Sequence, residues 1–401
     1  MKIVISSRLS SICPLILKTG FLFILGVYLI VPTHAQDQNK TYKQKDSWLV
    51  GAHYYPWYGA PRNENDRGWL RKALRGRLEP RQLPALGIYD SRDQEVIGKH
   101  IEQSIYAGID FWSVSWWGPG RRDDQTLREN ILTHPNVSKL KYAVLYESTG
   151  RLSSFDKPDY SNLIPDFSYM KEHLFSNPNY LKIDDKPVVF IYLTRVYFRN
   201  RGEEALVALR KEFPNLYLIG DDVFGPRYRP EYAKQWDAIS AYDIYGQSMQ
   251  KAGATRKGIE HLLTHYRNAQ KAAHAVGTAF VPGIAPGYND RAVRNGHPGR
   301  PRYFTDEPDS KEGDIFRAMI EEIAKPLSDP KAQRMWTITS FNEWYEDTQI
   351  EPTAGDQPPS AKDDSDSGTY YTEGDRYPDY GNLYLDILKE ALTESGKEYG
   401  K

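Results

Sequence analysis

The chain reads as an α/β protein, a single (β/α)8 TIM barrel with long loops after strands 1 and 8. Three observations predict this. Eight apolar runs recur along the chain, each ends in a cluster of polar and aromatic residues, and helical periodicity separates most of them. Strands alternating with helices make a parallel sheet, and eight such units in one chain of this size close into a barrel. In that architecture the active site is built at the carboxyl ends of the strands, which is where the polar residues gather here.

The first 35 residues stand apart from the fold. Lys2, Arg8 and Lys18 precede an apolar run from Phe21 to Val31, and Thr33-His34-Ala35 places small residues where a signal peptidase cuts. Residues 1–35 therefore read as a signal peptide cleaved after Ala35, and 36–46 as a polar linker. The run is shorter than the ~20 residues of a spanning helix, so no membrane span is expected after cleavage. The one cysteine, Cys13, lies in the removed segment, so the domain from 47 to 401 holds together without disulfides.

The first strand, Trp48 to Ala52, runs into His53-Tyr54-Tyr55-Pro56-Trp57-Tyr58-Gly59, where proline ends the ladder. Ser91 and Gln94 at capping-box spacing open a helix whose apolar face carries Ile97, Ile101 and Ile105, and Gly108 stops it. Ile109 to Val114 is the second strand, with Ser115-Trp116-Trp117-Gly118 as its exit. Lys141 to Leu145 exits through Tyr146-Glu147-Ser148, and Pro187 to Ile191 through Tyr192-Leu193-Thr194-Arg195. Leu216 to Ile219 exits through Gly220-Asp221-Asp222, and Ala238 to Ala241 through Tyr242-Asp243-Ile244-Tyr245-Gly246. Thr278 to Ala285 ends in Pro286-Gly287-Tyr288-Asn289-Asp290, and Arg334 to Thr339 in Asn342-Glu343-Trp344-Tyr345-Glu346. Helical period is clearest over Glu203–Phe213, Ile259–Ala273, Ile315–Ile323 and Asn382–Leu392. The loops Arg62–Gly87 and Thr353–Tyr380 are expected to wall the cleft.

Composition narrows the function. A formal charge of −1 argues against a nucleic-acid or anionic-membrane partner, which requires a concentrated basic surface. Aromatics make up 13%, with 29 Tyr and 9 Trp, and such rings offer the flat apolar faces and polar handles that sugars bind. A tyrosine-rich core would give the same composition. His53, His100, His261, His265, His274 and His297 form no ligand spacing, so no metal or other cofactor is expected. Two carboxyls converging on an aromatic cleft are the minimum set for glycoside hydrolysis, and Glu343 and Glu346 are the best-placed pair. Three residues apart, they stand ~10 Å apart on an extended chain or ~5–6 Å apart on a turn, so spacing leaves the stereochemistry open. Glu351 is a weaker candidate.

Tyr54-Tyr55-Pro56-Trp57-Tyr58-Gly59, Ser91-Arg92-Asp93, Ser115-Trp116-Trp117-Gly118-Pro119-Gly120, Pro286-Gly287-Tyr288-Asn289-Asp290 and Ser340-Phe341-Asn342-Glu343-Trp344 through Ile350-Glu351-Pro352 resemble glycoside hydrolase family 99, the endo-α-mannosidases and endo-α-1,2-mannanases. The resemblance implies a (β/α)8 barrel and an endo-acting, retaining, metal-free α-glycosidase of mannan-type poly- or oligosaccharides, and the signal peptide adds the expectation that it is secreted or periplasmic. It implies Glu343 as the base that deprotonates the sugar 2-hydroxyl to form a 1,2-anhydro sugar, and Glu346 as general acid and then base. It implies sugar contacts from Tyr55, Trp117, Glu147, Tyr245, Tyr288, Asn289, Asn342 and Trp344. Tyr345 and Asp347 stand where family members often carry His and Gly, and the first loop lacks their His-Trp pair. A different glycan therefore stays open, including an anionic or sulfated one met by Arg67, Arg71, Lys72, Arg75, Arg77 and Arg81, as does a non-catalytic glycan-binding barrel. Oligomeric state is not legible.

Overall fold

The computed structural model describes residues 47–63, 73–246, 249–355 and 357–393. The expected signal peptide and linker lie outside these residues, as do Arg67, Arg71 and Lys72. No described helix is long and apolar enough to cross a membrane.

Eight parallel strand positions form the barrel: β1 Leu49–Tyr54, β2 Phe111–Trp116, β3 Lys141–Tyr146, β4 Lys186–Ile191, β5 Tyr217–Asp221, β6 Ala238–Ser240, β7 Ala279–Ile284 and β8 Met335–Ile338. Neighbours in sequence pair in order, and β8 pairs β1, Val50 opposite Trp336. Strand β7 is split at Pro282, which has no N–H to give the ladder. Ala279–Val281 pairs β6, and Gly283–Ile284 pairs β8. The Pro282 carbonyl still accepts from Thr337 N at 3.0 Å, so the seam continues across the break. Lys182–Ile183 is a short antiparallel addition to β4.

Side chains on a strand alternate between faces, and here the alternation sorts two cores. Phe111, Ala143, Leu145, Val188, Phe190, Tyr217, Ile219, Ala238, Ala279, Val281 and Met335 share one buried cluster that fills the barrel. Their strand neighbours, among them Val50, Trp112, Val144, Val189, Leu218, Ile239, Phe280 and Trp336, belong to a second cluster with the helices. Gly51 lacks a side chain because a Cβ there would stand 2.1 Å from the Phe111 ring. Behind β1, Tyr54 stacks on Trp112 with centroids 4.0 Å apart, an aromatic pair worth about 0.5–1.5 kcal/mol beyond its buried area.

The helices that cover the barrel include α1 Gln94–Ala107, α2 Leu163–His173, α3 Glu203–Glu212, α4 Arg256–His274, α5 Asp314–Ala318 and α6 Leu383–Thr393. Helix α5 runs on into a π turn, Met319–Ala324. The cap of α1 differs from expectation. Asp93, not Ser91, is the N-cap and accepts from Glu95 N, while Ser91 Oγ accepts from Tyr58 N at 3.1 Å and ties the β1 exit down. Gly108 ends α1 in the left-handed region at φ 82°, which glycine adopts without cost.

The two long loops also depart from expectation. Their described residues do not line the main cavity; they clasp each other beside it. Ala85 N donates to Pro352 O at 2.7 Å, Ala354 N to Leu83 O at 3.2 Å, and Leu74, Leu78 and Tyr377 bury one another. Arg75 is not part of a basic binding face, because it is buried against Asp347, and Arg77 pairs with Asp364 at 3.0 Å.

Candidate active site

The lumen-facing rows continue past the strand ends and become the site. Two residues beyond His53 on β1 comes Tyr55; beyond Ser115 on β2, Trp117; beyond Leu145 on β3, Glu147. The same step gives Tyr192 after Phe190 and Tyr242 after Ser240. All five line one cavity of about 660 Å³, together with Trp57, Arg294, Tyr345, Glu343 and Glu346. Phe155, 57% exposed, stands at its edge as an aromatic face.

Glu343 and Glu346 reach the cavity from a tightly tied turn after β8. Ser340 N donates to Thr348 O at 2.8 Å, and Ile350 N returns to Ser340 O at 3.0 Å, closing the segment on itself. Inside it, Ser340 Oγ accepts from Glu343 N at 2.7 Å, and Glu343 Oε1 accepts from Tyr345 N at 2.8 Å. The Glu346 carbonyl accepts from Asn289 N at 2.7 Å, so the β7 exit braces it. Its carboxylate receives Arg294 Nη1 on Oε1 at 3.0 Å and Tyr242 Oη on Oε2 at 3.1 Å, and Tyr242 Oη also meets Tyr55 Oη at 2.5 Å.

Burial raises the Glu346 carboxyl above the ordinary range, opposed by Arg294 and the Tyr242 hydrogen bond and reinforced by Asp290. Burial pushes Glu147 up to about 8, against the Ser115 hydrogen bond and with help from Asp123, Glu346 and Asp221. Ser115 Oγ donates to Glu147 Oε1 at 2.6 Å and accepts from Trp117 Nε1 at 3.0 Å, which fixes both lining side chains. Asp221, pushed up to about 7 by burial, accepts from Leu193 N and Tyr242 N and so joins the β4 and β6 exits. The cavity thus gathers three carboxyls, Glu147, Glu343 and Glu346, among aromatic walls, and burial raises two of them, Glu147 and Glu346, toward the protonated form a general acid requires.

Of the residues expected to touch sugar, Tyr55, Trp117 and Glu147 line this cavity, and Tyr245 and Tyr288 line a smaller one beside it. Asn289, Asn342 and Trp344 do not reach either lining. Asn342 is buried and holds the β1 exit, its Oδ1 accepting from Tyr55 N at 2.7 Å. Asn289 Nδ2 donates to Tyr371 O and Tyr377 Oη, fastening the last long loop. Trp344 Nε1 donates to Glu351 Oε2 at 2.8 Å. Glu351, buried, pairs with His100 at 3.0 Å and accepts from Tyr89, so it is a structural acid. Tyr192, Tyr242 and Arg294 are lining residues that pattern reading missed; the two-residue step marks both tyrosines. Among the described residues, no group of three or more His, Cys, Asp or Glu converges in a way that could hold a metal ion.

The family described as glycosyltransferase WbsX matches residues 154–357, half the chain. The chain belongs to the WbsX family. It is 21% identical over 408 residues to the glycoprotein endo-α-1,2-mannosidase of Mus musculus, covering 92% of this chain and 79% of that one. To the Xenopus laevis enzyme of the same name it is 23% identical, over 86% of this chain and 76% of the other. The structure of the family 99 endo-α-mannosidase from Bacteroides thetaiotaomicron, in complex with bis-tris-propane, superposes with a TM-score of 0.60 at 22% identity, covering 86% of this chain and 96% of that one. The resemblance to family 99 and the (β/α)8 fold of this WbsX member are borne out.

Proposed function

We propose that this protein is a secreted endo-acting glycoside hydrolase that cleaves α-mannan-type chains with retention of configuration. The observation that carries the reading is the convergence of Glu343 and Glu346 on one aromatic cavity, on a chain similar along most of its length to endo-α-1,2-mannosidases. Glu346 is the acid and then the base. Its burial favours the protonated form needed to give a proton to the leaving oxygen, while Arg294 and Tyr242 stabilise the carboxylate left behind. Glu343 is the base toward the 2-hydroxyl, whose oxygen attacks the anomeric carbon as the leaving group departs, closing a 1,2-anhydro ring. Water then attacks the same carbon with Glu346 taking its proton, the bond from that carbon to the 2-oxygen breaks as Glu343 returns its proton to that oxygen, and two inversions at the one carbon give net retention. The backbone ties on Glu343 keep its carboxylate oriented at no further entropic cost during reaction.

Digestion of α-1,2-linked mannan by wild type, Glu343→Gln and Glu346→Gln tests this. Each variant is expected to lose about 10²–10⁴-fold in kcat, the usual contribution of a positioned proton-transfer group. Full activity in either one overturns its assigned role. The family's description favours a second reading, sugar transfer, which predicts consumption of a nucleotide sugar without release of new reducing ends; including such donors separates the two.

A further inference from the structure

A smaller cavity of about 140 Å³ adjoins the first, and Glu346, Arg294, Tyr192 and Tyr242 belong to both linings. Its own lining adds Tyr245 and Tyr288, stacked at 17° with centroids 6.4 Å apart, and the basic side chains of Arg195 and His297. The charges are unevenly matched. Arg294 is balanced by Asp290 at 2.7 Å and Glu346 at 3.0 Å, and His297 Nδ1 faces Asp290 Oδ2 at 3.0 Å. Asp243, the remaining carboxylate of the lining, accepts from Gly246 N at 2.6 Å. Arg195 forms no ion pair or hydrogen bond among the described residues, and its Nε is buried without a partner. A guanidinium keeps its charge at every working pH, so a partly buried one without an anion is a standing desolvation cost. A ligand anion that accepts two parallel N–H bonds removes that cost.

We propose that this cavity is a subsite for a glycan carrying an anionic substituent, a carboxylate or a sulfate ester, which Arg195 holds while the sugar ring lies against the Tyr245 and Tyr288 pair. The proposal rests on the hydrolase reading for its place in the cleft, since Glu346 stands in both linings. It assigns the preference to Arg195 on the β4 exit and not to the basic first loop, where Arg75 and Arg77 are already paired.

The test is a calorimetric titration at low salt of wild type, Arg195→Gln and Arg195→Lys with three probes: α-1,2-mannobiose, its 6-O-sulfate and its uronic acid. Wild type is expected to bind at least one anionic probe about tenfold more tightly than the neutral sugar, as one charge-assisted contact allows. Arg195→Gln removes the difference between that probe and the neutral sugar, and Arg195→Lys keeps part of the preference. Added salt narrows the wild-type preference. Whether the sulfate or the uronic acid shows the gain identifies the substituent. Equal affinity of wild type for all three probes, or a preference that survives in Arg195→Gln, overturns the proposal. Binding needs no turnover, so anionic preference in a wild type that fails to cleave mannan would sink the hydrolase reading alone, and mannan cleavage without that preference would sink this inference alone.

Discussion

Asp347 sits one residue beyond the proposed acid in the left-handed region, at φ 52°. Its Oδ1 accepts from Arg75 Nε and, at 3.3 Å, from Arg302 Nη2, and all three side chains are 1% exposed. Glu312 is the only other carboxylate in these ion pairs among the described residues, at 3.7 Å from Arg75 and 4.0 Å from Arg302. Asp347→Ala removes the carboxylate and leaves two buried guanidiniums sharing Glu312, a loss of about 3–5 kcal/mol. Asp347→Gly loses the same pairings but relieves the left-handed backbone, recovering about 1–2 kcal/mol. With an unfolding entropy of about 2.1 cal/mol/K per residue, a domain of this length loses roughly 1.5 °C of Tm per kcal/mol. Calorimetry should therefore place Asp347→Ala about 4.5–7.5 °C below wild type and Asp347→Gly about 1.5–3 °C above the alanine variant. If alanine and glycine melt together, the backbone argument fails. If both melt with wild type, the ion cluster contributes nothing.

Two further outcomes follow from the carboxyls of the cavity. Glu147, pushed up to about 8 by burial, holds a proton in the folded state that the unfolded chain has already released, so it should make stability fall as pH rises from near 4.5 to 8. Glu147→Gln should flatten the Tm–pH slope over that window, and an unchanged slope would refute the assignment. Arg294 lowers the Glu346 carboxyl by direct pairing, so Arg294→Gln should move the basic limb of the pH–kcat/KM profile upward; a downward or absent shift would show that Glu346 does not govern that limb.

Most of the barrel was legible because continuous apolar runs and their helical spacers are local signals. The eight expected strands appear in place, and Tyr55, Trp117 and Glu147 fall in the cavity. Reading the strand alternation two residues further would also have singled out Tyr192 and Tyr242. Tyr245 came from the family resemblance alone, and it lines the smaller cavity, whereas Tyr242 in the same exit continues the lumen row. Asn342, Trp344 and Asn289 share the motifs of the site yet serve as braces, since a turn that presents two carboxylates must itself be anchored. The Arg75–Asp347–Arg302 cluster was not legible: its members are 272 and 45 positions apart, and only the folded loops bring them together.

The split of β7 at Pro282 leaves the barrel stitched unevenly around its girth. Six residue pairs join β2 to β3, whereas two join β7 to β8. Tyr55, Trp117 and Glu147 hang from the densely stitched arc, and Arg294, Glu343 and Glu346 follow the sparse one. The acid-bearing turn beyond the sparse seam is held by its own bonds, Ser340 N to Thr348 O at 2.8 Å, Ile350 N to Ser340 O at 3.0 Å and Asn289 N to the Glu346 carbonyl at 2.7 Å, so the exit loops and not the strand ladder fix where its carboxylates stand.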